Sequence, residues 1–67
     1  MTDHHNKEGA FWAESLSVWA GFTVRDFDKS DYASVLQNLT IMEASIKYLR
    51  SHAEALELAN ILKNEAA

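Results

Sequence analysis

Tyr32, Val35, Leu39, Met42, Ile46, Leu49, Ala53 and Leu56 recur at alternating steps of three and four residues, with Leu36 beside them. Apolar residues at that spacing share one face of a helix and form a heptad seam. A helix carrying such a seam must lay it against another helix. The seam therefore predicts a helix over about 30–50 and assigns Val35, Leu36, Leu39, Met42, Ile46 and Leu49 to the core of a hairpin. A weaker stripe runs along the back of the same helix through Ile41, Ala44, Tyr48, Ala55, Leu58 and Leu62. One neighbouring helix covers one face only, so the back stripe asks for a further surface.

The neighbour is sought in residues 11–22, FWAESLSVWAGF. On a helical wheel Phe11, Trp12, Ser15, Leu16, Val18 and Trp19 fall on one arc of about 160°, wider than the usual apolar stripe. This predicts a helix over about 8–20, antiparallel to the second, with Leu16 in the shared core. Gly21 follows the last periodic residue and is read as the helix cap, with Phe22 folding back over it. Residues 22–29 then form a connection whose Phe22, Val24 and Phe27 lie against the helices. Asp28 or Ser30 caps the next helix, and Asp31 favours its first turn. Ser51-His52-Ala53-Glu54 has capping-box spacing. It suggests a break and a helical tail over about 52–64, although the periodicity also permits one continuous helix. Residues 1–8 are polar and expected to be unstructured. The architecture expected is all-α: a single domain over 1–67, an antiparallel helical hairpin with a helical C-terminal tail, completed by a partner chain.

Size supports that last expectation. The chain has 67 residues, and a chain of roughly 60 buries only about 60% of its unfolded surface and is marginal alone. Small domains usually gain a disulfide, a metal or an oligomer. There is no Cys, yet 48% of the residues are hydrophobic. The formal net charge of −4 and six scattered basic residues argue against a nucleic-acid surface. No apolar run approaches the ~20 residues of a membrane span, and the start MTDHHNKEG lacks the pattern of a signal peptide. The expected location is the cytoplasm, with neither nucleic acid nor membrane as partner.

Catalytic chemistry finds little purchase. Six serines are present, but none stands in a recognisable arrangement with a His, and the acidic residues are spread over several helix faces. The adjacent His4 and His5 do not make a preformed metal site, which needs three or four placed ligands. No catalytic, cofactor or metal residue is assigned, and no cofactor is expected. Asn38-Leu39-Thr40 matches the glycosylation pattern in mid-helix and is read as chance. The aromatic residues are the more informative feature. Two Trp on one face, seven residues apart, are hard to bury within a hairpin, and Trp is enriched at interface hot spots. Trp12, Trp19, Ile41, Tyr48 and Leu58 are therefore assigned to a partner interface.

The order of features resembles a known group. A helix ends in Trp19-Ala20-Gly21-Phe22, a linker follows with Val24, and after an acidic turn the long helix opens with Tyr32-Ala33-Ser34-Val35-Leu36-Gln37-Asn38-Leu39. Over roughly residues 8–50 this resembles the small accessory subunits of amidase-signature amidohydrolases. That group is similar to the C subunit of tRNA-dependent amidotransferases and includes the small subunit of carboxybiuret hydrolase. Tails in the group often carry Pro and run extended, whereas residues 52–64 here have none. The resemblance implies a non-catalytic role, with the Ser-Ser-Lys machinery in a large amidase-signature subunit that this chain packs against and stabilises, extending to a heterotetramer. Two rivals arise from the residues alone. One is a homo-oligomeric helical module pairing through its heptad seam. The other is a small acidic regulator, for which Asp26, Asp28 and Asp31 offer a modest patch.

Overall fold

The computed structural model describes residues 2–66. Helix α1 spans Thr2–Asp28 and helix α2 spans Tyr32–Ala66. They pack antiparallel as a hairpin, and no strand occurs among the described residues. The 35 residues of α2 at about 1.5 Å each set the length of a rod measuring 54 × 14 × 14 Å. The chain has no Pro, so nothing interrupts either helix covalently.

Both helices are longer than the periodicity indicated. Residues 2–8, expected to be unstructured, form the first turns of α1. Gly21 is not a cap. It lies within α1 at negative φ, and the helix runs on through Phe22, Val24 and Phe27, which are exposed rather than folded against the hairpin. Gly21 satisfies the cap pattern in sequence, but a helix already held by a partner along its length can carry Gly for about 1 kcal/mol. The capping-box spacing at Ser51 is likewise overridden. The tail is helical, as expected, and continuous with α2.

The turn is built by three residues with two helix-end devices. Ser30 adopts φ 59°. Its N–H donates to Phe27 C=O at 3.0 Å, and the Asp31 N–H donates to Asp26 C=O at 2.9 Å. This paired arrangement is a Schellman motif with Ser where Gly is usual. Asp31, rather than Asp28 or Ser30, caps α2. Its carboxylate accepts from the Ser34 N–H at 3.2 Å and from the Ser34 hydroxyl at 2.7 Å. Outside the turn, Phe27 and Tyr32 meet edge to face at 5.6 Å. Ser30→Gly should remove the left-handed strain. After the entropy a Gly adds to the unfolded chain, it should stabilise by about 0.5–1 kcal/mol, or about 3–5 °C in Tm. A melting temperature that falls or stays put contradicts the strain argument.

The helices meet along heptad seams. In α1 the seam runs through positions 5, 9, 12, 16, 19, 23 and 26, and in α2 through 35, 38, 42, 45, 49, 52, 56 and 59, all of them buried or half-buried, with Glu8, Ser15, Ala20, Ser34 and Ala55 half-buried beside it. Val35, Met42, Leu49 and Leu56 lie where the apolar pattern put them, and Leu16 faces them from α1. The alternate positions do not. Asn38, Ser45 and His52 replace Leu39, Ile46 and Ala53, so the true seam lies one residue earlier at every second step. Leu36 (65% exposed), Leu39 (39%) and Ile46 (41%) are outside the hairpin core. Small and polar groups let the backbones approach. Gly9 is buried, and a Cβ there would meet the His52 Cβ at 3.7 Å.

Candidate interaction surface

Among the described residues no hydrophobic side chain is fully buried. The buried side chains are those of Asp26, Asn38 and Ser45. This inverts the usual order, in which aliphatic groups fill the interior and polar ones face water. Two helices alone make a line of contact, not a core.

The polar seam is fully satisfied. The Asn38 side-chain amide donates to Asp26 Oδ2 at 2.9 Å, between helices. Arg25 Nε donates to the other carboxylate oxygen at 3.2 Å. The Asn38 amide holds the Asp26 carboxyl below its ordinary value. Desolvation opposes this, and the Arg25 and Lys29 charges reinforce it. A buried polar pair in a heptad seam favours one register, because a slip leaves both groups unpaired. The Asn38 of the sequence motif thus acquires a structural role. A carboxyl held low when folded stabilises the fold above its unfolded value of 3.8. That contribution is lost as the pH falls through the folded value. Tm should therefore stay level from neutral pH to about 5 and fall below about 4, more shallowly in Asn38→Ala. Parallel pH profiles for the two proteins would remove the pair from this role.

Further contacts bind the two helices side by side. Trp12 stacks on Tyr48 with ring centroids 4.8 Å apart and planes 28° from parallel. The Thr23 hydroxyl donates to Trp19 C=O at 2.8 Å and lies 3.5 Å from Met42 Sδ. Trp19 meets Phe22 on its own helix at 5.3 Å. Both Trp, assigned to a partner interface, are half-buried within the hairpin. Tyr48, also assigned to a partner, is the residue on which Trp12 rests.

The large apolar groups lie around this seam. In α2, Tyr32, Leu39 and Ile46 recur along one flank, and Ile41, Tyr48 and Leu62 along the other; all six are exposed. Leu58, assigned with Ile41 and Tyr48 to a partner interface, is exposed as well. An apolar seam limited to two heptad positions suits one neighbour; apolar flanks on both sides widen it beyond what one helix can cover. In α1, Phe11, Val18 and Phe22 form an exposed stripe at steps of seven and four. The wheel places Phe11 and Val18 on the same broad apolar arc as Leu16. They lie outside the seam because positions 12, 16 and 19 occupy it. The signal that would have found the true seam was the polar set His5, Asp26, Asn38, Ser45 and His52. It is invisible to a search for apolar periodicity.

Architecture and surface together define a two-helix hairpin with an unfinished apolar exterior. No family model, curated protein or solved structure matches the chain. Among the described residues, no helix is long and apolar enough to cross a membrane.

Proposed function

We propose that the chain is a non-catalytic small subunit that binds and stabilises a large amidase-type hydrolase acting on a small amide or ureide C–N bond. The observation that carries the binding role is the position of Leu36, Leu39, Ile41 and Ile46. All four are exposed on α2, while the buried side chains of the seam are the polar Asp26, Asn38 and Ser45. Large aliphatic groups left beside the seam are suited to a second surface, since exposed apolar patches mark association sites. The class of partner rests on the sequence resemblance alone, in which Val35 with Asn38-Leu39 does lie near the start of α2, whereas Trp19-Ala20-Gly21-Phe22 lies inside α1 and not at its end.

In this role the catalytic groups and the substrate pocket belong to the large chain. The small subunit supplies a rigid rod about as long as α2, whose two apolar flanks and Phe11–Val18–Phe22 stripe become core on assembly. The test is capture: the tagged chain, expressed in its source cell, retains an amidase-type hydrolase in fixed ratio and raises its thermal stability. Retention of no hydrolase, with the chain a cooperative monomer by itself, removes the proposal.

The apolar flanks on both sides of the α2 seam also favour a second reading, a homodimer. Two hairpins then form a four-helix bundle, in which each helix touches two neighbours. The solution mass of the purified chain discriminates. A stable dimer that captures no hydrolase establishes the bundle and excludes the subunit.

A further inference from the structure

Three histidines that are distant or disregarded in sequence come together at the open end of the hairpin. His4 and His5 lie in the first turns of α1, and His52 lies in α2. Their ring centroids are 5.4, 5.8 and 5.1 Å apart. His5 Nδ1 and His52 Nδ1 are 2.9 Å from one another across the two helices. Both rings are half-buried, and His4 is exposed. Gly9, one turn after His5, has no side chain to separate the helices there.

We propose that His5 and His52, with His4 as the third ligand, bind one divalent late transition-metal ion that clasps α1 to α2. The like atoms facing one another are the central observation. As a metal-free contact, one ring must carry a proton on Nδ1 while the other leaves its Nδ1 bare and keeps its proton on Nε2. With both rings neutral and protonated on Nε2, two Nδ1 lone pairs converge, and a cation takes the place of the shared proton. Imidazole nitrogen is a good ligand for Zn2+, Cu2+ and Ni2+. At a Zn–N distance of about 2.0–2.1 Å, tetrahedral ligands stand about 3.3 Å apart, so the pair need open by only about 0.4 Å. Among the described residues no three ligating side chains already converge on one point. The His5–His52 pair is therefore the preformed part, and the exposed His4 joins by turning its ring. Solvent fills the remaining position.

The clasp suits this chain. It has no Cys and its seam buries no aliphatic core, so a metal supplies the staple that small domains commonly need. It joins residues 47 positions apart and ties down the start of α1.

The test uses the full chain and Zn2+ alone as the probe. Calorimetric titration should give one ion per chain, a rise in Tm with saturating Zn2+, and joint shifts of the His5 and His52 ring resonances. His52→Gln and His5→Gln, which attack the site from opposite helices with little change in volume, should each weaken binding at least about tenfold, while circular dichroism reports retained helix. His4→Gln should weaken it less than either. Three results overturn the proposal. One is the absence of saturable binding. Another is binding that survives His52→Gln but not His5→Gln, which places the ion on the adjacent pair His4–His5. The last is uptake of half an ion per chain with doubling of mass, which places it between molecules.

Discussion

Leu39→Glu combined with Ile46→Glu should weaken assembly at least about 1000-fold while leaving the helix content of the hairpin nearly unchanged. Both residues lie on one flank of α2, seven positions apart and about two-fifths exposed, clear of the seam. In the hairpin alone a carboxylate at either position faces water. In the proposed assembly each would be set against an apolar surface, and an unpaired charge there costs at least about 2 kcal/mol. The measurement is association by calorimetry or sedimentation, against the proposed amidase-type partner and against the chain itself, with circular dichroism as control. Unchanged association would make this flank ordinary surface. Collapse of the helical signal would mean that Leu39 and Ile46 belong to the hairpin core after all.

Trp12→Ala should act on the other side of that division, destabilising the hairpin by about 2 kcal/mol, or roughly 10 °C in Tm. The value is below the 3–5 kcal/mol typical of a fully buried Trp, because Trp12 is half-buried. Its ring stacks across the hairpin on Tyr48, so its loss removes a contact between helices. Trp19→Ala should cost less, since its aromatic partner, Phe22, is on the same helix. Melting of the two variants under conditions that keep the chain unassembled decides the matter. Equal losses would deny the Trp12–Tyr48 stack its special role, and no loss in either would return both Trp to the partner surface.

Helical periodicity is a local property, and it read correctly that two helices form and fold back on one another. It also located Leu16, Val35, Met42 and Leu49, which face inward under either seam. Helix ends were less legible. Gly21 and the Ser51–Glu54 spacing carry end signals worth about 1 kcal/mol each, and continuous packing along the neighbouring helix outweighs such sums. The connection, expected over 22–29, is the turn at 29–31, so the end of α1 lies about two helical turns beyond its expected place, because Ser30 in a left-handed conformation resembles no usual cap in sequence.

The candidate surface was half legible. Ile41, Tyr48 and Leu58 were placed outside the hairpin, where the structure has them exposed, while Leu36, Leu39 and Ile46 were placed inside and are not. Composition and spacing alone require two amphipathic helices, and more apolar surface than a pair can cover. Which of two adjacent stripes becomes the seam is settled by groups far apart in the chain. Asp26 finds Asn38, His5 finds His52, and Gly9 lets the backbones close. Hydrogen bonds and close approach depend on distances that exist only once the helices have docked. A one-residue step in a heptad turns the aliphatic flank outward and so decides whether the chain completes its own interior or presents it to another.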